Sequence, residues 1–182
     1  MNLNLHGKVA LVTGSYRGTG AGIAERLGAE GAHVIVHGFL EDETQVVFEQ
    51  LANKEINVTR LEANLLDLDH DEIKSLLPPI DILINNYGTP RRSSWESTES
   101  WIEEWEHNVL MGVKLSQVVI GGMSDRGWGR ILFMGTIGIE NPGTHSPGYY
   151  GSKAALVPIV KSLARELNQT GITVNLINPG MI

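Results

Sequence analysis

Residues 9–20 read VALVTGSYRGTG, four apolar residues that run directly into a turn with glycines at positions 14, 18 and 20. Gly14 permits a tight exit from a strand, and Gly18 and Gly20 let the main chain approach a pyrophosphate where the next helix begins. The spacing G-x-x-x-G-x-G differs from the G-x-G-x-x-G pattern of dinucleotide sites, and no Lys-Ser or Lys-Thr pair follows as in a P-loop. An ordinary glycine-rich turn therefore stays open as an alternative at this point.

Apolar, β-rich runs alternate with helical stretches along the chain, which is the pattern of a parallel sheet covered on both faces. Right-handed crossovers with one reversal of strand order predict an α/β fold, a doubly wound parallel β-sheet in a Rossmann-type three-layer sandwich. Its ligand crevice lies at the carboxyl ends of the strands. The predicted strands are Val9 to Thr13, His33 to His37, Val58 to Ala63, Ile82 to Asn85, Ile131 to Met134 and Thr173 to Ile177. The predicted helices are Thr19 to Glu30, Asp42 to Asn53, Asp69 to Leu76, Ser100 to Ser124 and Tyr149 to Asn168.

Composition excludes several classes of protein. The 182 residues have a net charge of -7, which argues against nucleic acid as the main ligand, because phosphate-binding surfaces normally carry surplus Lys and Arg. The lack of cysteine excludes disulfides, a thiolate nucleophile and a cysteine metal site, and we predict no metal. Neither a signal peptide nor a membrane-length apolar run is visible. We expect one cytoplasmic domain, residues 1–182, without nucleic-acid or membrane partners.

Tyr149 and Lys153 lie four residues apart in a predicted helix, so their side chains share one helix face. A phenol has an ordinary pKa of about 10, and a neighbouring positive charge makes it easier to ionise. The pair therefore predicts a tyrosine that exchanges a proton near neutral pH. Taken alone the signal is weak, because Tyr and Lys meet at this spacing by chance in many helices.

Several separated motifs together resemble those of the short-chain dehydrogenase/reductase family, over essentially the whole chain. The glycine turn is similar to its TGxxxGxG motif, residues 85–88 (NNYG) to its NNAG motif, and residues 149–153 to its YxxxK motif. Asn108 stands at the place of the helix asparagine of the family, and Thr136 at that of its catalytic serine. Residues 178–180 (NPG) resemble the turn after the sixth strand. The order of the motifs, each at the expected strand end, makes the resemblance specific.

The resemblance implies catalytic roles for four residues. Tyr149 would donate a proton to a carbonyl oxygen in reduction and accept one in oxidation. Lys153 would bind the nicotinamide ribose hydroxyls and favour the ionised phenol. Thr136 would hold and polarise the substrate oxygen, with a methyl group that tightens the pocket relative to serine. Asn108 would interrupt its long helix and hold a water in a proton relay from Lys153, with a simple polar kink residue as the alternative.

The end of the second strand bears on the choice of cofactor. NAD-dependent members place an acidic side chain there for the adenosine ribose, whereas NADP-dependent ones avoid it and offer a positive charge. Here the strand ends in His37, Gly38 and Phe39, with glycine at the aligned place, and Arg17 could pair with a 2′-phosphate. We therefore predict NADP(H) in preference to NAD(H). We interpret residues 41–43 (EDE) as the solvent-facing first turn of the next helix.

The ligand sites implied by these motifs can be stated residue by residue. The substrate site comprises Thr136, His145 and Tyr149. The cofactor site comprises Gly14, Ser15, Arg17, Gly18, Thr19, Gly20, His37, Gly38, Phe39, Asn64, Leu65, Asn86, Tyr87, Gly88, Tyr149, Lys153, Pro179, Gly180 and Ile182.

Three features depart from the family pattern. Tyr87 replaces the alanine of NNAG and places a large ring beside the cofactor, where we expect it to narrow the groove. Pro158 lies inside the active-site helix and should bend it locally, beyond Lys153. The sequence ends at Ile182, where members of the family usually continue through a substrate-covering loop and a seventh strand. We expect either an omitted segment or a truncated protein that lacks this region.

Substrate and assembly are less defined. Arg91 and Arg92, or His145 and Ser146, could touch a polar or acidic substrate, although solvated loop residues are the alternative. Trp101 and Trp105 share one helix face, which predicts packing against the sheet or a second subunit. By resemblance, the long helices 100–124 and 149–168 pair with their copies in a homodimer or homotetramer. Our primary hypothesis is an NADP-dependent oxidoreductase of a ketone or secondary alcohol, and the alternative is a catalytically silent dinucleotide-binding sensor or scaffold.

Overall fold

Six parallel strands form the centre of the chain, which the computed structural model describes over residues 3–90 and 93–180. The strands are Val9–Val12 (β1), His33–Gly38 (β2), Val58–Glu62 (β3), Ile82–Asn85 (β4), Gly129–Met134 (β5) and Ile172–Ile177 (β6). Their order across the sheet is β3-β2-β1-β4-β5-β6. The strand order therefore reverses between β1 and β4, where doubly wound sheets form their ligand crevice. The predicted doubly wound α/β fold is confirmed.

In the described part of the chain, six α-helices cover the two faces of the sheet. They are Gly18–Ala29 (α1), Gln45–Ala52 (α2), His70–Leu76 (α3), Glu99–Trp105 (α4), Met111–Asp125 (α5) and Pro147–Glu166 (α6). A π-helical segment, Glu106–Leu110, joins α4 to α5, and a short 3-10 helix, Ile137–Ile139, follows β5. Among the helices of the described residues, none is long and apolar enough to cross a bilayer.

Two predicted helices differ from those observed. The long helix predicted over 100–124 consists of α4, the π-helical segment and α5, with Asn108 inside the π-helical segment as its interruption. The helix predicted from Asp42 begins three residues later, because Asp42 has a left-handed φ of 61° and Glu62 of β3 accepts the Thr44 amide in a turn. α6 continues through Pro158 as one helix.

Successive residues of each strand pack on opposite faces of the sheet. Leu11 of β1 belongs to a core cluster with Leu115 of α5 and Leu156 of α6, whereas Val12 belongs to a second cluster with Ala24 of α1. All five side chains are buried, and each large aliphatic one contributes about 1.5–3 kcal/mol to folding. The strand ends are therefore held rigidly where the functional residues emerge.

We predict that Phe133→Ala lowers the free energy of unfolding by about 3–5 kcal/mol. Phe133 is one of the largest fully buried side chains, and its ring packs against Gly112 of α5, so truncation leaves a cavity between β5 and α5. Urea unfolding measures the change. Val46→Ala is the control, since Val46 is 63% exposed on α2 and should change stability by less than about 0.5 kcal/mol. Equal effects of the two substitutions would contradict the assigned core.

Candidate active site

The turn after β1 is tied to β2 by hydrogen bonds. Gly14 has a left-handed φ of 61°, and its N–H donates to His37 Nδ1 at 3.1 Å. The Ser15 hydroxyl donates to the Val12 carbonyl at 2.7 Å and accepts the His37 N–H at 2.9 Å. Because Ser15 is fully buried and its hydroxyl makes both of these bonds, its side chain shapes the turn instead of facing a ligand. The cofactor contact expected at Ser15 stays a prediction.

His37 is a structural residue of the turn. Its ring is fully buried, and because Nδ1 accepts from Gly14, the proton lies on Nε2, which donates to the Ala63 carbonyl at 3.0 Å. Burial lowers the pKa of His37 to about 4, against the smaller effects of the Ala63 hydrogen bond and of Glu43. The imidazole is thus neutral and enclosed, and the cofactor contact expected at His37 stays a prediction.

Hydrogen bonds join the turn after β4 to the turn after β1. Asn86 Nδ2 donates to the Thr13 carbonyl at 2.8 Å, and the Tyr87 N–H donates to Thr13 Oγ1 at 3.0 Å. A Cβ atom at Gly14 would lie 2.9 Å from Tyr87 Cδ2, so the ring packs directly on the glycine. On its other side the Tyr87 ring lies 4.4 Å from the Phe39 ring, centroid to centroid. Tyr87 thus forms one wall of a groove, as the sequence predicted.

The predicted catalytic pair meets on α6, at the ends of β4 and β5. Lys153 is 3% exposed, and its Nζ donates to the Met134 carbonyl at 2.7 Å and lies 5.9 Å from the centroid of the Tyr149 ring. Burial lowers the pKa of Lys153 to about 8, and the charge of Glu104 opposes this shift. The amine therefore keeps its proton at neutral pH inside an almost closed pocket.

Burial also governs the phenol. It raises the pKa of Tyr149, and a hydrogen bond with the Thr136 side chain opposes that rise. The net shift is therefore opposite to the one that we expected from the charge of Lys153, because burial disfavours the charged phenolate more than the neighbouring groups favour it. Thr136 also accepts the Gly138 N–H at 3.1 Å, which fixes its hydroxyl beside Tyr149.

Asn108 lies buried behind Lys153, within the π-helical segment. Its Nδ2 donates to Glu104 Oε2 at 2.8 Å, and its Oδ1 accepts the Thr89 N–H at 3.1 Å. Gly88 lies between the two polar side chains, since a Cβ there would be 2.5 Å from Lys153 Nζ and 2.7 Å from Asn108 Oδ1. Glu104, a fully buried carboxylate, is the member of this cluster that our sequence analysis missed. Its position one turn before Asn108 was the available signal.

A groove of about 630 Å³ joins the glycine turn to the catalytic pair. Its volume lies within the range of small-molecule sites. The residues that line it are Gly14, Tyr16, Arg17, Gly18, Thr19, Gly20, Asn86, Tyr87, Gly88, Thr89, Pro90, Met134, Gly135, Tyr149, Lys153 and Pro179. Most of the predicted cofactor residues thus share one surface with Tyr149.

Other predicted residues lie away from the groove lining. Leu65 is fully buried in the core, Asn64 bonds Asp67 through its side chain, and Gly38 is enclosed by Glu43. His145 is exposed on the loop before α6. Phe39 reaches the groove only through its packing on Tyr87, and Gly180 is exposed beyond β6. Arg91, Arg92 and Ile182 lie outside the described residues.

The tryptophans pack less deeply than predicted. Trp101 is half-buried, its ring centroid is 5.0 Å from that of Trp95, and its Nε1 donates to the Ser94 carbonyl at 2.7 Å. Trp105 is 41% exposed on the same helix. This exposure disfavours packing of both rings against the sheet, and the alternative, packing against a second subunit, stays a prediction.

The geometry supports one type of chemistry. The groove begins at a helix N-terminus that favours anions and ends at a protonated phenol supported by a hydroxyl and a buried ammonium group. A ligand with phosphate groups at one end and a reacting carbon at the other would fit this arrangement.

Comparisons with known proteins agree with this geometry. The family model for short chain dehydrogenases matches residues 8–182. The chain is 36% identical over 197 residues to the 3-oxoacyl-acyl-carrier-protein reductase FabG of Aquifex aeolicus (strain VF5), covering 100% of this chain and 77% of the relative. It is also 36% identical over 186 residues to FabG of Escherichia coli (strain K12), covering 99% and 75% respectively.

The chain is also similar in structure to solved reductases. The L-sorbose reductase from Gluconobacter frateurii, complexed with NADPH and L-sorbose, has a TM-score of 0.90 and 33% identity, covering 100% of this chain and 72% of that one. A variant of actinorhodin polyketide ketoreductase with NADPH has a TM-score of 0.88 and 32% identity, covering 96% and 70%.

The buried His37 predicts a specific pH dependence of stability. The unfolded chain binds a proton near the ordinary pKa of 6.5, whereas the folded chain resists protonation down to about 4, so this contribution is complete above 6.5 and is lost as the pH falls towards 4. We expect the free energy of unfolding to fall by up to ~3 kcal/mol between these two pH values. Urea unfolding at several pH values measures it.

His37→Gln should remove this slope, because glutamine keeps an acceptor for Gly14 but does not titrate. His145→Gln, on an exposed loop, is the control and should keep the slope of the wild type. A wild-type slope that survives in His37→Gln would show that another group is responsible.

Proposed function

The chain belongs to the short-chain dehydrogenase family, and we propose that it transfers a hydride between NADP(H) and a ketone or secondary alcohol, with Tyr149 as the acid and base. Membership makes it an NAD(P)-dependent oxidoreductase of CH–OH or carbonyl compounds. The observation that carries the finer proposal is the Tyr149, Lys153 and Thr136 cluster at the end of a groove that starts at the glycine turn.

The residues present fit a nicotinamide dinucleotide. The N-cap residue of α1, Arg17, makes no side-chain hydrogen bond to the N-terminus of the helix. The first N–H groups of α1 can therefore bind a pyrophosphate. A Cβ at Gly18 would meet nothing within 4 Å, so the main chain there is open to close approach. Gly88 brings the main chain within contact of Lys153, where the nicotinamide ribose would be held.

The chain's own residues would supply the proton chemistry, while the dinucleotide, when bound, supplies or accepts the hydride. Because burial raises its pKa, Tyr149 keeps its phenolic proton at neutral pH and can donate it to a carbonyl oxygen. Thr136 presents a hydroxyl at the same place and would hold that oxygen. Lys153 places a positive charge beneath the ring, which stabilises the phenolate left after donation.

The cofactor preference rests on two residues. Gly38 ends β2 without the carboxylate that would accept bonds from an unphosphorylated ribose. Arg17 lines the groove beside the glycine turn, where its guanidinium could pair with a 2′-phosphate. The solved relatives with bound NADPH support the same preference. We therefore favour NADP(H) over NAD(H) for this chain.

We also propose that the chain forms an oligomer through α5 and α6. Val113 and Ile120 of α5, with Ile159 and Leu163 of α6, line a shallow apolar groove between the two helices. Such a surface supports the proposed homodimer or homotetramer through these helices. The cytoplasmic location expected from the sequence also stays a prediction. The substrate is a small carbonyl or alcohol, for which 3-oxoacyl thioesters, steroids, sugars and polyols are all candidates.

We predict that Tyr149→Phe lowers turnover by about 100-fold to 10,000-fold, because it removes the proton donor while keeping the ring. Turnover is followed by NADPH absorbance with a panel of ketones, and cofactor binding is measured separately and should be retained. Tyr150→Phe, the same change in the adjacent ring 5.4 Å away, is the control and should keep turnover. Unchanged turnover in Tyr149→Phe would exclude this tyrosine, and no turnover in the wild type would favour the silent sensor or scaffold.

For Arg17→Ala we expect the dissociation constant of NADPH to rise about tenfold and that of NADH to change little, since only NADPH carries the 2′-phosphate. Calorimetric titration with both cofactors measures the two constants. Arg26→Ala removes the same charge on the far side of α1, where Arg26 pairs with Glu30, and should affect neither cofactor. Equal weakening of NADPH and NADH by Arg17→Ala would overturn the assignment of NADP(H).

A further inference from the structure

A carboxylate from outside β2 lies at the end of this strand. Glu43, from the turn before α2, places Oε2 2.5 Å from the Phe39 N and 3.3 Å from the Leu40 N, so it accepts both main-chain N–H groups. We had interpreted Glu43 as a solvent-facing residue of the first helical turn. That interpretation is wrong, because the residue precedes α2 and its side chain turns back onto β2.

The position of the Glu43 side chain requires a glycine at position 38. A Cβ atom at Gly38 would lie 2.8 Å from Glu43 Oε2 and 3.1 Å from Glu43 Cβ. Any side chain at position 38 would therefore collide with the carboxylate. Glu43 occupies the space that an acidic side chain at the end of β2 would fill, and it brings the same functional group.

The turn that presents Glu43 is anchored from the neighbouring strand. Glu62 of β3 accepts the Asp42 N–H at 3.0 Å through Oε2 and the Thr44 N–H at 3.0 Å through Oε1. Arg60 pairs with both Glu62 and Asp42, at 2.8 and 2.9 Å. Since Asp42 also has a left-handed φ of 61°, the turn holds one defined conformation. The position of Glu43 is thus built into the fold.

This carboxylate is linked to the lining of the proposed cofactor groove through Phe39. Phe39, whose N–H it accepts, packs its ring at 4.4 Å on Tyr87, and Tyr87 and Arg17 both line the groove. Two adjacent main-chain N–H groups are a favourable receptor for a phosphate oxygen. Here they are already bonded to a negatively charged group of the chain itself.

We infer that Glu43 is a specificity-determining residue that opposes the 2′-phosphate of NADPH and accepts the free 2′-hydroxyl of NADH. It holds the two N–H groups at the end of β2 with Oε2, and we assign the ribose hydroxyl to its second oxygen. Arg17 and Glu43 act in opposite directions on the cofactor preference. The inference rests on the proposed function in one respect only, that a dinucleotide binds in this groove.

The test compares Glu43→Gln with the wild type in titrations with NADPH and NADH, followed by energy transfer from tryptophan to the reduced nicotinamide. Glutamine keeps an oxygen for the Phe39 and Leu40 N–H groups and removes the charge. We expect the preference for NADPH over NADH, the ratio of the two dissociation constants, to rise about tenfold. Glu41→Gln, an exposed residue of the same turn, removes the same charge and should leave the ratio unchanged.

An unchanged ratio in Glu43→Gln, or an equal rise in Glu41→Gln, would overturn the inference. If Glu43→Gln does not fold, Glu43→Asp keeps the charge but withdraws it by one methylene group, and it should raise the ratio by a smaller factor. No rise there would equally overturn it. Failure of the wild type to bind either cofactor would instead refute the proposed function, so the two failures are distinguishable.

Discussion

The site depends on one constraint, the hydrogen bonding that holds the turn after β1 between its two neighbouring strands. On one side the Gly14 N–H binds the buried ring of His37 at the end of β2, and on the other Asn86 binds the Thr13 carbonyl from the end of β4. The second of these bonds crosses the point between β1 and β4 at which the strand order reverses, where the sheet opens a crevice. Because the partners are buried or half-buried, water does not compete well for these hydrogen bonds, and the chain's own residues hold the turn.

The catalytic end follows from burial. Lys153 is almost completely buried, so its amine needs a hydrogen-bond partner from the protein. It donates to the Met134 carbonyl at the end of β5. Glu104 adds a carboxylate on the far side of Gly88, bonded to Asn108 and acting on Lys153 through its charge. An enclosed ammonium group is costly unless it is paired in this way. Burial of the Tyr149 ring likewise disfavours the charged phenolate and raises the pKa of the phenol.

Sequence reasoning predicted the features that are local or periodic. Alternating apolar runs indicated the strands and their order, and the glycine turn and the Tyr149–Lys153 spacing predicted surfaces that the structure places in one groove. It failed where a partner comes from a distant segment. No local pattern shows that His37 is bonded to Gly14, that Glu62 delays the start of α2, or that Glu43 folds back onto β2. The direction of the Tyr149 pKa shift was wrong for a related reason, since spacing reveals a neighbouring charge but not the depth of burial.

The proposed function requires that the groove between the glycine turn and Tyr149 binds a nicotinamide dinucleotide. The most direct measurement is a titration of the purified wild-type chain with NADPH and with NADH, following energy transfer from tryptophan to the reduced nicotinamide. We expect saturable transfer with one molecule of cofactor for each chain and tighter binding of NADPH. Tighter binding of NADH would reverse the cofactor preference, and no saturable transfer with either cofactor would contradict dinucleotide binding in this groove.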